Sequence, residues 1–212
     1  MNTVKVIIAH YNENLCWVTN LKYPFIIISK NGIQKETPPN RGNEAATYLE
    51  YIIKNYNDLS DISIFIHAHQ YSWHNHIAAD ITINKLTFEY DYYNINDIST
   101  PEYIDVPSLK ELCHGGKILL NANKQIIEGG IKQEIDVEKI KYRPSAMFYV
   151  KRENILKYPV QVYNDWYGWL MTRIDDNLPK INIGNLSPSD QSGRVFEYTW
   201  HIIFTGNMVD IQ

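Results

Sequence analysis

A chain of 212 residues is long for one domain and short for two, so a single domain over 1–212 with one sheet-based core is expected. Its 44% hydrophobic and 13% aromatic content argues against disorder, and a net charge of -4 with no Lys/Arg run argues against a nucleic-acid partner. No stretch reaches the roughly 18 apolar residues of a membrane span, Cys16 and Cys113 form no Cys-x-x-Cys, and the first residues carry no basic leader, so a reducing, cytoplasmic setting is expected.

In chain order, Val4–Ala9 is a continuous β-branched run of the kind found in strands buried on both faces, and it ends in His10-Tyr-Asn-Glu13. A short helix fits between Glu13 and Asn20. Tyr23–Ser29 reads as a second strand, stopped by the turn signal Lys30-Asn31-Gly32. Asn43 is the expected N-cap of a helix reaching about Asn57, with Ala45, Leu49, Ile52, Ile53 and Tyr56 on one apolar stripe. Ile62–Ile66 follows as a third strand.

Residues 81–93 alternate too irregularly to assign, and Pro101–Cys113 reads as loop then helix. Met147–Val150 is an expected strand, followed by a helix from Arg152 and an aromatic helix over Tyr163–Met171. Asn182–Gly193 reads as a loop of Gly, Asn, Ser and Pro, and Arg194–Phe204 fits helix or strand. Strand, helix, strand with short links predicts an α/β fold, a single open, mostly parallel (mixed) central sheet flanked by helices.

In such sheets ligands bind beyond the carboxyl ends of the strands. Three expected strands end there in polar clusters: Ala9-His10-Tyr11-Asn12-Glu13, Ser29-Lys30-Asn31 and His67-Ala68-His69-Gln70. Four of the seven histidines, His67, His69, His74 and His76, fall within one short stretch. In an extended chain His67 and His69 point to the same side, as two imidazoles closing on one divalent metal would, and His74 and His76 repeat the spacing. The alternative is a polar loop whose histidines bond to backbone. Aromatic residues Tyr163, Trp166 and Tyr167 share a helical spacing that points to core packing, with a carbohydrate-stacking platform as the other reading.

Val6–Glu13, Asn40-Arg-Gly-Asn-Glu-Ala45 and Ile64-Phe-Ile-His-Ala-His69 together resemble GT-A-type nucleotide-sugar glycosyltransferases. Asn40–Ala45, Phe65–His69 with Trp73-His74, Phe148–Ile155 and Arg194–His201 are also similar to a domain family of fungi, bacteria and large DNA viruses. Within that group a capsid-glycan glycosyltransferase domain of algal viruses is the nearest functional comparison. The resemblance covers roughly 4–72 and 145–204; it implies transfer from a UDP-sugar donor to a glycan or glycoprotein, in the host cytoplasm if the chain is viral.

Donor contacts are expected from Ala9, His10, Tyr11 and Asn12 after the first strand, and Lys30 and Arg41, near the strand ends, are the candidate cations for the charge that grows on the diphosphate. Where the relatives carry Asp-x-Asp on Mn²⁺ or Mg²⁺, this chain has His67-Ala-His69, a pair that suits Mn²⁺, Zn²⁺ or Co²⁺ better than Mg²⁺, so two readings stand: a softer ion, Mn²⁺ foremost, or donor binding without metal. Asp165 stands where inverting relatives place their acceptor base, and Glu197 is the second carboxylate considered. His201 and His114 are further metal or phosphate contacts to test. Two other functions remain open on the residues alone: a histidine-ligated metal hydrolase using His67, His69, His74 and His76, and a non-catalytic nucleotide- or sugar-binding module.

Overall fold

The structure is a computed structural model that describes residues 2–32, 40–96, 146–172 and 188–207. Strand β1 is Val4–His10, followed by a 3-10 turn over Cys16–Asn20 and by β2, Phe25–Ser29. Helix α1 is Glu44–Asn55, β3 is Ile62–His67, α2 is Ala79–Asn84, and β4 is Tyr92–Asn94. Then come β5, Phe148–Lys151, α3, Arg152–Ile155, α4, Val160–Thr172, and α5, Pro188–Thr205. Pro101–Cys113 and residues 182–187 lie outside the described residues.

The five strands form one open sheet in the order β2-β1-β3-β5-β4. β1 pairs in parallel with both β2 and β3, whereas β5 runs antiparallel to β3 and β4. The expected open, mixed α/β sheet is therefore present, with two parallel and two antiparallel pairings among the described residues rather than a mostly parallel set. Ala9 lies opposite Ile28 and His67, and His10 opposite Ser29, so β1, β2 and β3 end level with one another.

Alternate residues of the β-branched runs serve two cores, as the strand period of two requires. Ile7, Ala9, Phe65, Phe148 and Val150 face the core shared with α1, α4 and α5. Val6, Ile8, Ile64, Ile66 and Tyr149 face the smaller core closed by Trp17, Ala79 and Ile83. This double burial explains why the strands read as continuous apolar runs.

Helix α1 is buried well beyond the expected stripe. Ala46, Tyr48 and Tyr51 are buried with Ala45, Leu49 and Ile52, because the helix lies between the sheet and α4 and α5. Asn43 occupies the N-cap but makes no side-chain capping bond; its φ is 49°, an unusual value for a residue with a side chain. The expected loop up to Gly193 is instead helical from Pro188, and Arg194–Phe204 continues that helix. The irregular 81–93 stretch contains the end of α2 and the start of β4. The expected helix within Glu13–Asn20 is reduced to the 3-10 turn.

Candidate functional site

The loops leaving β1 and β3 enclose a cleft of about 460 Å³ at the carboxyl edge of the parallel strands. Tyr11, Asn12, Glu13 and Asn14 line one side with Cys16 and Trp17, and Ala68, His69 and Gln70 line the other. The two loops are tied together from beneath. The Trp17 indole N–H donates to the Ala68 carbonyl at 3.0 Å. The buried Asp80 carboxylate accepts from Asn20 and Gln70, each at 3.1 Å, and so holds both sides of the cleft to α2.

Glu13 is the charged centre of the cleft. One of its oxygens accepts the backbone N–H groups of Tyr11 at 2.7 Å and Asn12 at 3.1 Å. The other lies 3.5 Å from His69 Nε2, and His10 Nε2 stands 4.0 Å from the carboxylate. Partial burial pushes the carboxyl pKa up, but the backbone N–H bonds and the nearby His69 and His10 outweigh it and leave it below the usual value. An ionised carboxylate thus sits among amides and imidazoles, and no Lys or Arg is among the residues lining the cleft.

His67 and His69 do not follow one extended strand as expected, because β3 ends at His67. His67 is only 6% exposed, whereas His69 stands out into the cleft. Their rings still touch, with centroids 5.3 Å apart, and the His67 ring also meets His74 at 5.1 Å. Burial, and then the neighbouring His74 and His69, push the His67 pKa down to about 3, so its imidazole is neutral near pH 7. Both of its ring nitrogens are buried with no hydrogen-bond partner.

A neutral imidazole with unused nitrogens is the form a transition-metal ligand takes, and His67 with His69 fits such a group in donor chemistry. Among the described residues, however, no three His, Cys, Asp or Glu side chains already form a ligand set. His74 Nδ1 is within 3.0 Å of Asn96 Oδ1 and 3.2 Å of Ser72 Oγ, and His76 is exposed, so the repeated spacing does not place the second pair alike.

The remaining expected residues are dispersed. Ala9 is buried within β1, and His10 bridges Ser29 Oγ at 3.0 Å and the Glu13 carbonyl at 3.3 Å. Lys30 is buried, its ammonium directed at the Asn43 carbonyl; burial lowers its pKa, partly offset by Glu44 and Glu13. Arg41 donates to the Met171 carbonyl at 3.1 Å, at the end of α4. Asp165 is exposed on α4, where it accepts from Gln161 at 2.8 Å, and Glu197 lies 3.9 Å from Arg194 on α5. Neither carboxylate lines the cleft. His201 is buried in α5, and His114 and Cys113 lie outside the described residues. Cys16 carries a free thiol.

Tyr163 and Trp166 are core residues, as their helical spacing indicates. Among the described residues the exposed aromatics are instead Tyr11, Phe25, Tyr71, Trp73 and Tyr90, of which Trp73 and Tyr71 are the most exposed. Residue type alone gives Glu13, Gln70 and Tyr71 no individual role; their signal in the sequence is position, just beyond β1 and β3.

These observations define an open, mixed α/β domain with a polar cleft where its parallel strands end. The chain belongs to the family described as "Protein of unknown function (DUF3431)", whose model matches residues 6–212. No curated protein and no solved structure matches it. Among the described residues, no helix is long and apolar enough to cross a membrane.

Proposed function

We propose that the chain is a glycosyltransferase that takes a nucleotide sugar, UDP-linked, and passes the sugar to a glycan or glycoprotein acceptor. The observation that carries this reading is the cleft between the loops after β1 and β3, the position at which open α/β sheets hold ligands. GT-A resemblance in the sequence supplies the reaction class. In the reaction the acceptor oxygen attacks the anomeric carbon, that carbon's bond to the diphosphate breaks, and its electron pair leaves with the nucleoside diphosphate.

Negative charge therefore grows on the phosphates, while the cleft already holds the Glu13 carboxylate and no cationic Lys or Arg in its lining. Lys30 and Arg41 are engaged by carbonyls outside it. His67 and His69 would hold a divalent ion of the Mn²⁺ or Zn²⁺ kind, which would neutralise the diphosphate when bound. Tyr11 and Asn12, which line the cleft, would bind the nucleoside, and Glu13, 3.5 Å from His69 Nε2, would orient that imidazole. Asp165 and Glu197 remain the proposed acceptor carboxylates and would need the acceptor to reach them from outside the cleft.

The unpartnered nitrogens of His67 also favour a second reading, a histidine-ligated metal hydrolase. Thermal unfolding separates the two. With Mn²⁺ present, UDP at about 100 times its dissociation constant should add ~2.7 kcal/mol to the unfolding free energy, more than CMP or GDP adds. A response to zinc alone favours the hydrolase. Stabilisation by UDP without donor hydrolysis or transfer leaves a binding module, and no response to UDP removes the nucleotide-sugar reading.

A further inference from the structure

The chain beyond the cleft makes a tight hairpin: Ser72 and Asn75 exchange both backbone hydrogen bonds, at 3.2 and 3.1 Å, and Trp73-His74 form its tip. His74 is buried and anchored near Asn96 Oδ1, and the Trp73 ring stands edge-on to it at 5.0 Å. The tip is therefore braced, yet Trp73 is 73% exposed and Tyr71 is 60% exposed. Large apolar side chains presented on a held loop leave apolar surface in water with no intramolecular return.

Ring contacts run without a break from the cleft to this tip, His69 to His67 to His74 to Trp73, at 5.3, 5.1 and 5.0 Å. At the base of the hairpin the side-chain amide of Asn75 is buried with neither polar atom bonded, as are both nitrogens of His67. Native proteins rarely leave such groups unmatched.

We infer that Trp73 and Tyr71 form the platform on which a pyranose ring of the acceptor carbohydrate stacks at the mouth of the cleft. The inference rests on the transferase reading and deepens it by assigning the acceptor side. A sugar presents an apolar C–H face and a rim of hydroxyls, and the surface here has the same two parts. Trp73 stands at the hairpin tip and Tyr71 just before it, directly after Gln70, and Gln70 lines the cleft in which the Asn12 and Asn14 amides and the Glu13 carboxylate offer polar partners. A lipid surface would be matched by basic residues, which this lining lacks, and a net charge of -4 opposes an anionic membrane.

The test is retention of the full chain on a printed array of free-ended oligosaccharides, followed by titration of the retained glycan against intrinsic fluorescence. Trp73 is the most exposed of the five tryptophans, so a bound sugar should shield it from acrylamide quenching. Trp73→Ala should lose about tenfold or more in glycan affinity, Trp73→Phe should recover part of it, and Tyr71→Ala should lose less than Trp73→Ala. The exposure of both side chains makes these variants tolerable to the fold, and equal melting temperatures would verify it.

Retention of no glycan by the wild-type chain overturns the inference, as does equal retention by Trp73→Ala. So does a finding that Trp73→Ala instead abolishes vesicle binding or dissociates a dimer in sedimentation. UDP stabilisation is measured in parallel. Glycan binding without any UDP response would keep the platform and remove the transferase reading, whereas UDP binding without glycan retention would do the reverse.

Discussion

Replacing Glu13 with Gln removes a charge while keeping one oxygen that can accept the N–H groups of Tyr11 and Asn12. In the native chain those bonds are 2.7 and 3.1 Å long and end on an ionised acceptor. Hydrogen bonds to a charged group contribute about 1.5–3 kcal/mol and neutral ones about 0.5–1.5, so losing the charge at a partly exposed site should cost about 1–2 kcal/mol. In a chain of this length that lowers the melting temperature by roughly 2–8 °C.

The pH dependence gives the sharper check. Burial raises the Glu13 pKa, but the backbone N–H groups, His69 and His10 leave it net below the ordinary 4.5. A depressed carboxylate stabilises the fold above its unfolded pKa, and that stability is lost as pH falls through the folded pKa. The gap between wild type and Glu13→Gln should therefore be full near pH 7 and shrink below about pH 4. Urea unfolding at several pH values measures it directly. A gap that stays constant across this range, or a variant as stable as wild type near neutrality, would refute the account of Glu13.

Gly193→Ala places a Cβ 2.7 Å from the Gly42 carbonyl oxygen, backbone that cannot turn aside, so it should destabilise by about 1–2 kcal/mol despite the better helix propensity of alanine. Gly168→Ala, in α4 with nothing within 4 Å of its Cβ, should instead stabilise by about 0.5–1 kcal/mol; thermal melts that reverse this order would contradict the packing of α5 on the turn before α1. His67→Leu should leave stability without metal unchanged or higher, because it removes a buried imidazole with no partner, yet it should abolish the metal dependence of UDP binding. Unaltered metal dependence by calorimetry in His67→Leu and in His69→Ala would make both histidines structural. Asp165→Asn should lower turnover by roughly 10²–10⁴ with donor affinity and melting temperature nearly unchanged, if that carboxylate takes the acceptor proton. Near wild-type turnover, or a product that retains the donor's anomeric configuration by NMR, would remove Asp165 from this role.

Much of the architecture is legible in local pattern. Val4–Ala9 and Ile62–Ile66 announce buried strands because every position of a doubly covered strand selects apolar residues. The polar residues that follow them mark where the sheet ends, and they account for the cleft lining from Tyr11 to Asn14 and from His69 to Gln70. The helical spacing of Tyr163 and Trp166 likewise indicates the face that packs in the core.

Other outcomes depend on partners distant in the chain. The antiparallel direction of β5 is decided by pairing with β3 and β4, and a short apolar run such as Phe148–Val150 carries no mark of strand direction. His67 and His69 look alike in the sequence, but the last position of β3 buries the first and the bend after it exposes the second. Lys30 and Arg41 read as free cations until the turn before α1 and the end of α4 supply the carbonyls that hold them. Periodicity records which side of its own element a residue occupies. The charge partner of Glu13, the burial of His67 and the exposure of Trp73 arise only when separate elements meet, and those meetings decide which residues are available for chemistry.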